Sequence, residues 1–278
     1  MKIIDFRLRP STSEMVSIAD NPVFKNLLMK KAKPYDKRVY PVAETVKEMD
    51  KAGIVLGVIQ GRDIETTYHW KLTNDHIAEV VKKFPNRFIG FAGVDPNKGM
   101  NAVREVERAV KILGLKGVSL DPWLHWKPAN DKIYYPIYAK CVELDIPVIL
   151  TTGPAAHVPN SVMEHASPAT IDEVAKDFPE LVIIASHGCY PYVFEMIATA
   201  YRHENVYFDI CAYELFPGAE FYIKAVNTII PTKMLFASAH PLTNFNDTLE
   251  RHKQFLYTEE ARANVYHKNA ERILRINI

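Results

Sequence analysis

The chain has few cysteines, almost no net charge and no long apolar segment. Its three cysteines among 278 residues stand far apart and form no Cys-x-x-Cys pair, which argues against a disulfide framework and a cysteine zinc site. A formal charge of +1 gives no long-range attraction to nucleic acid or to an anionic membrane. No run is apolar over the ~18 residues that a membrane span needs, and the first residues lack a signal-peptide pattern. We therefore expect a soluble cytoplasmic protein with small-molecule partners.

The length of 278 residues is close to the ~250 of a typical TIM barrel. Short β-rich apolar runs alternate with helical patterns, as is typical of parallel β/α units. The eight runs cover residues 3–8, 55–60, 88–94, 117–120, 147–151, 182–186, 206–210 and 234–238. We therefore predict the α/β class, with residues 1–278 forming one (β/α)8 TIM-barrel domain.

Amphipathic stretches lie between these runs and carry apolar residues at three- and four-residue spacing. The clearest cover residues 42–51, 101–113 and 167–178, and we expect them in the outer ring of helices. Residues 11–40 show no clean period, so we predict a long first loop with a short helix. Loops in this position cover the pocket of a TIM barrel.

The active site of a barrel enzyme lies at the C-terminal ends of its strands, so the residues that end each apolar run are candidates. Arg7 and Arg9 are two residues apart and therefore lie on the same face of an extended strand. The later runs end in further polar side chains. These are Gln60, Arg62, Asp95, Asp121, Thr151, His187, Tyr190, Asp209, Cys211 and His240.

These segments together resemble the amidohydrolase-related family that includes aminocarboxymuconate semialdehyde decarboxylase and related hydratases, decarboxylases and lactonases. The resemblance spans nearly the whole chain. Residues 87–96 read Arg-Phe-Ile-Gly-Phe-Ala-Gly-Val-Asp-Pro and match the family's third strand, and residues 114–120 match its fourth. Residues 185–188 keep the sixth-strand histidine, His187, and residues 269–274 keep the terminal signature. The resemblance implies a barrel enzyme of this family.

The chain departs from the family pattern at three strands. The family's first strand reads Ile-Asp-x-His-x-His, whereas residues 4–9 read Ile-Asp-Phe-Arg-Leu-Arg. Its fifth strand ends Ile-His-Thr-Gly, and here Thr151 stands at the histidine position. Its eighth strand reads Phe-Gly-Ser-Asp-x-Pro, and here Ala239 replaces the catalytic aspartate. The resemblance therefore implies that most of the usual metal ligands have been replaced.

The replacements determine what the site can bind. Arginine offers no lone pair, threonine is a weak zinc ligand and alanine is none, so the family's usual metal site cannot form. We therefore expect no bound cofactor. The alternative is a remodelled zinc site that uses His187 with His240, Asp121 or Cys189, since zinc needs three or four N, S or O ligands.

Arginine side chains near the strand ends predict an anionic ligand. The planar guanidinium binds a carboxylate or phosphate through two parallel charge-assisted hydrogen bonds. We predict that Arg7, Arg9 and Arg62 bind a small carboxylated substrate, with Thr151 and Tyr190 as further contacts. One arginine would stabilise the negative charge that a metal otherwise stabilises.

Two histidines and one aspartate are the predicted catalytic residues. His187 would act as the general acid or base, and His240 would be the second proton carrier. Asp121 would orient a histidine or ionise beside an arginine. The arginines could instead form a structural ion-pair network at the barrel mouth, and His187 could be a core histidine that donates to a backbone carbonyl.

Three functions fit these residues. The first is a hydrolase or lyase that hydrolyses a lactone, hydrates or decarboxylates a small carboxylated compound without the usual metal. The second is a remodelled zinc-dependent hydrolase, and the third is a non-catalytic anion-binding barrel. Because many barrels of this family dimerise, the resemblance also implies a homodimer.

Overall fold

The computed structural model of the chain describes residues 2–24, 38–153 and 158–278. Its strands are β1 Ile3–Leu8, β2 Ile54–Gln60, β3 Arg62–Ile64, β4 Trp70–Leu72, β5 Phe88–Gly93, β6 Val118–Leu120, β7 Val148–Thr151, β8 Ile183–Ser186 and β9 Val206–Phe208. Seven of them pair in parallel in the order β1, β2, β5, β6, β7, β8, β9. Strands of the sheet that follow one another in sequence are therefore neighbours in space.

Residues 234–240 close this sheet into a barrel. One parallel bridge joins Met234 to Phe208 in β9, and another joins His240 to Leu8 in β1. This eighth segment is thus bonded to both edges of the sheet, although it forms no regular strand. The predicted (β/α)8 TIM barrel is confirmed, with seven predicted runs forming strands and the eighth forming this irregular closure.

Helices surround the barrel, and the three strongest helical predictions, at 42–51, 101–113 and 167–178, match within two residues at each end. Two helix ends show clear caps: Thr73 accepts a hydrogen bond from His76 N at the start of one helix, and Gly53 ends another at φ 72°. The helices are Ser13–Val16, Val42–Ala52, Glu65–Tyr68, Asn74–Lys83, Met100–Lys111, Tyr135–Glu143, Pro168–Asp177, Val193–Arg202, Glu220–Val226, Phe245–Lys253, Glu259–Ala263 and Asn269–Leu274.

The barrel interior has an apolar layer below a polar one. Val58, Ile149 and Ile184 are fully buried in one apolar cluster. Each lies two residues before a polar residue at the end of its strand, and residues two apart share a face of a strand. The three polar residues that follow are Gln60, Thr151 and Ser186. The strand ends therefore place polar side chains over a closed apolar floor.

An irregularity in β1 lets two consecutive side chains enter the barrel. The pairing of β1 with β2 shifts register between Asp5 and Leu8. The Phe6 ring packs edge-on against Phe91, with centroids 5.8 Å apart, and Arg7 also reaches interior side chains. Such a shift breaks the strict alternation of a strand, so an apolar and a charged residue can lie side by side.

The segment after β1 was predicted as a pocket-covering loop at 11–40. Its described part contains the helix Ser13–Val16, and Glu14 Oε1 accepts hydrogen bonds from Thr73 N and Oγ1, both at 2.6 Å. Residues 25–37 lie outside the described part. The short antiparallel pair β3 and β4 was not predicted, because strands of three residues are too short to show a reliable alternating pattern. None of the helices described here has the length and apolar character to cross a membrane.

Candidate active site

Arg7 lies at the centre of the barrel mouth. Its Nη1 donates to Gln60 Oε1 at 2.7 Å, to Ser186 Oγ at 2.8 Å and to Thr151 Oγ1 at 3.4 Å. The side chain is buried, with a residue exposure of only 5%. These acceptors come from the ends of β2, β7 and β8, so strands on opposite sides of the barrel fix one guanidinium. Arg7 and Thr151, both predicted to bind substrate, therefore lie side by side.

The charge of Arg7 is held by neutral oxygens. Across the described ranges, no carboxylate forms a salt bridge with it, and its hydrogen bonds go to an amide and two hydroxyl groups. Its positive charge contributes to lowering the pKa of Asp121. A buried cation held only by neutral groups is costly, because hydrogen bonds to dipoles replace only part of its lost hydration. An anionic ligand would offset that cost.

Arg62 and Asp121 form a buried ion pair beside this centre. Arg62 Nε and Nη2 both donate to Asp121 Oδ1, at 3.0 and 2.7 Å. Burial alone would raise the pKa of Asp121, but the Arg62 charge and hydrogen bonds overcome it and hold the pKa at about 2. Asp121 is therefore ionised at neutral pH. Of the two predicted roles, the geometry matches an aspartate that ionises beside an arginine.

Gln60 links Arg7 in β1 to Arg9, which follows that strand. Arg9 Nε donates to the Gln60 carbonyl oxygen at 2.8 Å, whereas Arg7 uses the Gln60 side chain. Gln60 Nε2 in turn donates to Phe6 O at 3.0 Å, which fixes the amide orientation. Arg9 is half-buried, so the pair runs from the floor of the mouth towards its rim. Both arginines therefore contact the same residue, Gln60.

His187 follows β8 with a left-handed backbone at φ 73°. Its Nδ1 lies 2.7 Å from the carbonyl oxygen of Cys211, and Tyr213 packs edge-on against the ring at 5.2 Å between centroids. A carbonyl oxygen only accepts, so Nδ1 carries the proton and Nε2 carries the lone pair of the neutral ring. His187 therefore donates to a backbone carbonyl, as a core histidine would. The same bond holds the ring in the form that can serve as a base.

The remaining predicted residues lie around this centre. The His240 ring stacks on Phe245, with centroids 4.3 Å apart, at the start of the helix that follows the eighth segment. Tyr190 is half-buried, and its ring contacts those of Tyr213 and Phe216, each at 5.1 Å. Both therefore have packing partners that could account for their positions, and their catalytic or binding roles stay predictions.

The positions of the family's usual metal ligands do not provide metal donors. Arg7 and Thr151 converge as described, and Ala239 N donates to Arg7 O at 2.9 Å, which places the strand-eight position beside the first strand. A cation, a hydroxyl and a methyl group thus stand where the resemblance implies metal ligands. These residues do not fit that metal, because the guanidinium both lacks a lone pair and repels cations.

A second group of possible metal donors lies where the chain leaves β8 and β9. One atom each from His187, Asp209 and Cys211 lies within 4.8 Å of the others. Burial raises the pKa of the Cys211 thiol well above its ordinary value, whereas a metal ligand must be a thiolate. His187 Nδ1 is already bonded to the Cys211 carbonyl. Binding a metal here would therefore require loss of the thiol proton, with no more than three donors from this group.

The sequence pattern placed Gln60 and Asp209 among the strand-end candidates without assigning them a role, and it missed Ser186. Gln60 and Ser186 bind Arg7, and Asp209 Oδ1 accepts hydrogen bonds from the backbone amides of His187 and Cys211. Ser186 ends β8, so the strand-end position that identified His187 could have identified it as well. The amide, hydroxyl and carboxylate groups of these three residues resemble ordinary polar residues in sequence, and only the pairing with Arg7 or His187 distinguishes them.

The sequence profile described as amidohydrolase matches residues 5–276. The chain therefore belongs to the amidohydrolase family, and the resemblance drawn from its motifs is confirmed. The fold and the family match both identify an enzyme of the amidohydrolase superfamily.

Relatives within this family include lyases. A 2-keto-4-carboxy-3-hexenedioate hydratase from a Sphingobium species is 28% identical over 237 residues, which cover 72% of this chain and 69% of that one. A 2-amino-3-carboxymuconate-6-semialdehyde decarboxylase from Dictyostelium discoideum is 32% identical over 77 residues, 28% of this chain and 21% of that one. Both names describe reactions of carboxylated compounds.

Solved structures show the same barrel. An uncharacterized TIM-barrel protein from Bordetella bronchiseptica has a TM-score of 0.85 and 30% identity, with 99% of each chain covered. A 5-carboxyvanillate decarboxylase from Novosphingobium aromaticivorans, complexed with manganese, has a TM-score of 0.75 and 16% identity, with 99% of this chain and 96% of that one covered. At 16% identity the second similarity concerns the fold alone.

Proposed function

We propose that this protein is an enzyme that hydrates or decarboxylates a small carboxylated compound, with Arg7 stabilising negative charge in place of the family metal. The observation that carries the proposal is the position of Arg7, a buried guanidinium held by neutral groups from three strands. It is preorganised to receive an anion, and preorganised charge is the largest single source of rate enhancement in many enzymes.

Hydration and decarboxylation need the same two kinds of group in the active site. Loss of CO2 leaves an electron pair on carbon, and addition of water to a double bond conjugated with a carbonyl passes through an enolate. Both need a cation at the developing negative charge and a proton for the carbon. In the proposal Arg7 supplies the first and His187 Nε2 the second, acting as general acid once the ring has taken up a proton. The hydratase and decarboxylase relatives support this pair of reactions over lactone hydrolysis.

The other site residues have supporting roles in the proposal. Arg9 and Arg62 bind substrate carboxylates, Asp121 holds Arg62 in place, and Tyr190 forms one wall of the pocket. Thr151 contacts the substrate in addition to its hydrogen bond with Arg7. His240 exchanges the second proton, and residues 11–40 cover the pocket, in a barrel domain that spans the whole chain.

A bound metal is the alternative, and two observations favour it. Solved decarboxylases of this fold contain manganese, and His187, Asp209 and Cys211 form a group of possible donors. The Arg7 charge, the protonated thiol and the missing strand-eight aspartate weigh against it. We therefore place the metal-free reaction first and a zinc or manganese site second, with elemental analysis of the purified protein as the test between them.

The activity itself is tested by a substrate panel of dicarboxylates, hydroxylated aromatic acids, unsaturated keto acids and lactones. Release of CO2 identifies decarboxylation, loss of absorbance from a conjugated double bond identifies hydration, and acid production identifies lactone hydrolysis. We expect His187→Gln to abolish turnover while a thermal shift still reports binding of the same compound. His203→Gln is the matched control, since that histidine pairs with Asp172 at 2.8 Å on the outer helices. Binding without turnover across the panel would favour the non-catalytic barrel.

A further inference from the structure

Asp209 joins the ends of two neighbouring strands through one oxygen atom. Its carboxylate is fully buried, and Oδ1 accepts hydrogen bonds from His187 N at 3.2 Å and from Cys211 N at 3.1 Å. His187 follows β8 and Cys211 follows β9, so these bonds fix the spacing between the two strand ends.

Asp209 and Cys211 together also hold the His187 ring. Cys211 O accepts the bond from His187 Nδ1 at 2.7 Å, while Cys211 N is bound by Asp209. Asp209 therefore fixes the backbone that carries the imidazole and the backbone that accepts its Nδ1 proton. Histidine tautomers are set by the partner of the other ring nitrogen, and here that partner is a carbonyl whose position depends on Asp209.

The surrounding packing leaves the ring little freedom. Gly153 has φ 71°, and a Cβ at that position would lie 2.8 Å from His187 Cβ. Tyr213 packs against the ring, and its hydroxyl donates to Gly153 O. His187 itself has a positive φ, which is a conformation that a residue with a side chain keeps only when its surroundings hold it. The backbone bond to Asp209 is one such restraint.

We propose that Asp209 is a positioning residue that keeps His187 in the tautomer with the proton on Nδ1 and the lone pair on Nε2. The inference rests on the proposed function, because His187 is the proton carrier there. Asp209 acts through hydrogen bonds to the backbone and needs an acceptor oxygen, whereas its negative charge is not essential.

The tautomer can be measured directly. In protein labelled with ¹⁵N-histidine, two-bond ¹H–¹⁵N correlation spectra distinguish Nδ1–H from Nε2–H rings, and loss of a signal in His187→Gln assigns His187. We expect Nδ1–H in the parent and in Asp209→Asn, which keeps Oδ1. Asp209→Leu has no acceptor and should show a mixture of tautomers. Its kcat should be at least ~10-fold lower, with little change in KM. This loss is a fraction of the roughly 10²–10⁴-fold rate enhancement that a positioned acid or base contributes.

Cys211→Ala is the matched control. It removes the thiol, 3.3 Å from Nδ1, but keeps the carbonyl, so the tautomer should stay as in the parent. A change in this control would show that the thiol holds the ring and would overturn the proposal. An unchanged Nδ1–H signal in Asp209→Leu, or a lost one in Asp209→Asn, would overturn it equally.

Two features of the experiment separate the tautomer result from effects on folding and on turnover. Circular dichroism verifies the barrel in each variant, and if Asp209→Leu does not fold, Asp209→Ala removes the same acceptor without adding bulk. The NMR signal requires no turnover, so a parent that converts no substrate contradicts the proposed function while the tautomer still decides the role of Asp209.

Discussion

At the residue scale, two buried carboxylates close to the arginines behave in opposite ways. Asp121 is paired with Arg62, and its pKa is held at about 2. Asp5 is fully buried two residues before Arg7, and its Oδ1 accepts bonds from the backbone amides of Arg7 and Ser238. Burial raises the pKa of Asp5 to about 7, because those bonds offset only part of its desolvation. The low pKa of Asp121 comes mainly from the Arg62 guanidinium, to which the Arg7 charge adds.

The raised pKa of Asp5 predicts that the protein loses stability as pH rises from about 4 to 7. The folded state keeps a proton that the unfolded chain releases from pH ~4 upward, so stability falls as pH rises from about 4 to 7 and the loss is complete above that range. Asp5→Asn is neutral throughout and keeps Oδ1, so its stability relative to the parent should rise by roughly 1–4 kcal/mol between pH 5 and pH 8. Urea unfolding at both pH values measures this difference.

The control for this prediction is Glu180→Gln, which changes an exposed carboxylate. It should give the same difference from the parent at both pH values. An Asp5→Asn variant with no pH-dependent gain would show that Asp5 is ionised in the folded protein at neutral pH.

Removing the charge of Asp121 should be strongly destabilising. Asp121→Asn leaves Arg62 buried beside a neutral group, and breaking a buried pair in this way costs roughly 3–5 kcal/mol. The stabilising effect of the pair in the parent is present above pH ~4 and is lost as pH falls towards 2, because the folded pKa is depressed. Denaturant unfolding at pH 7 measures the cost.

The surface pair Arg87–Asp50, at 2.7 Å with Asp50 60% exposed, provides the comparison. Asp50→Asn should cost only about 0–1 kcal/mol, since solvent screens exposed pairs. Equal effects of the two substitutions would contradict the buried pair at the barrel mouth.

At the element scale, the helix Asn74–Lys83 is tied to the first loop at its start. Thr73 caps the helix through His76 N, and Glu14 binds both Thr73 N and its hydroxyl. Loop and helix are therefore stabilised together, next to the hairpin of β3 and β4. This connection places the described part of the first loop on the same side of the barrel as Arg62.

Thr73→Ala should therefore cost more than the loss of a helix cap. A cap alone contributes ~1 kcal/mol, and the lost bond to the Glu14 carboxylate adds roughly 1–2 kcal/mol. Thr258→Ala is the matched variant, since Thr258 caps Ala261 N at 3.1 Å in another helix. Similar unfolding free energies for the two variants would show that the Glu14 contact contributes nothing to stability.

At the scale of the whole molecule, the barrel was predictable because its signals are periodic and repeated. Apolar runs with polar residues at their ends gave seven strands directly and the eighth segment in outline. The irregular closure was beyond reach, because residues 234–240 bond to both edges without a regular strand pattern. Candidate arginines and His187 followed from strand ends. The groups that hold these side chains in place could not be predicted, because Gln60, Ser186 and Asp209 act through contacts between residues far apart in sequence.

Whether Arg7 replaces the metal is tested most directly by turnover of one active substrate with chelator-treated protein, in which elemental analysis verifies the absence of zinc, manganese and iron. We predict that the metal-free parent retains its kcat and that Arg7→Met lowers it by at least ~10²-fold, the effect of removing one preorganised charge-stabilising group. Turnover that disappears with the metal and returns when zinc or manganese is added would contradict the account and assign the charge stabilisation to a bound ion.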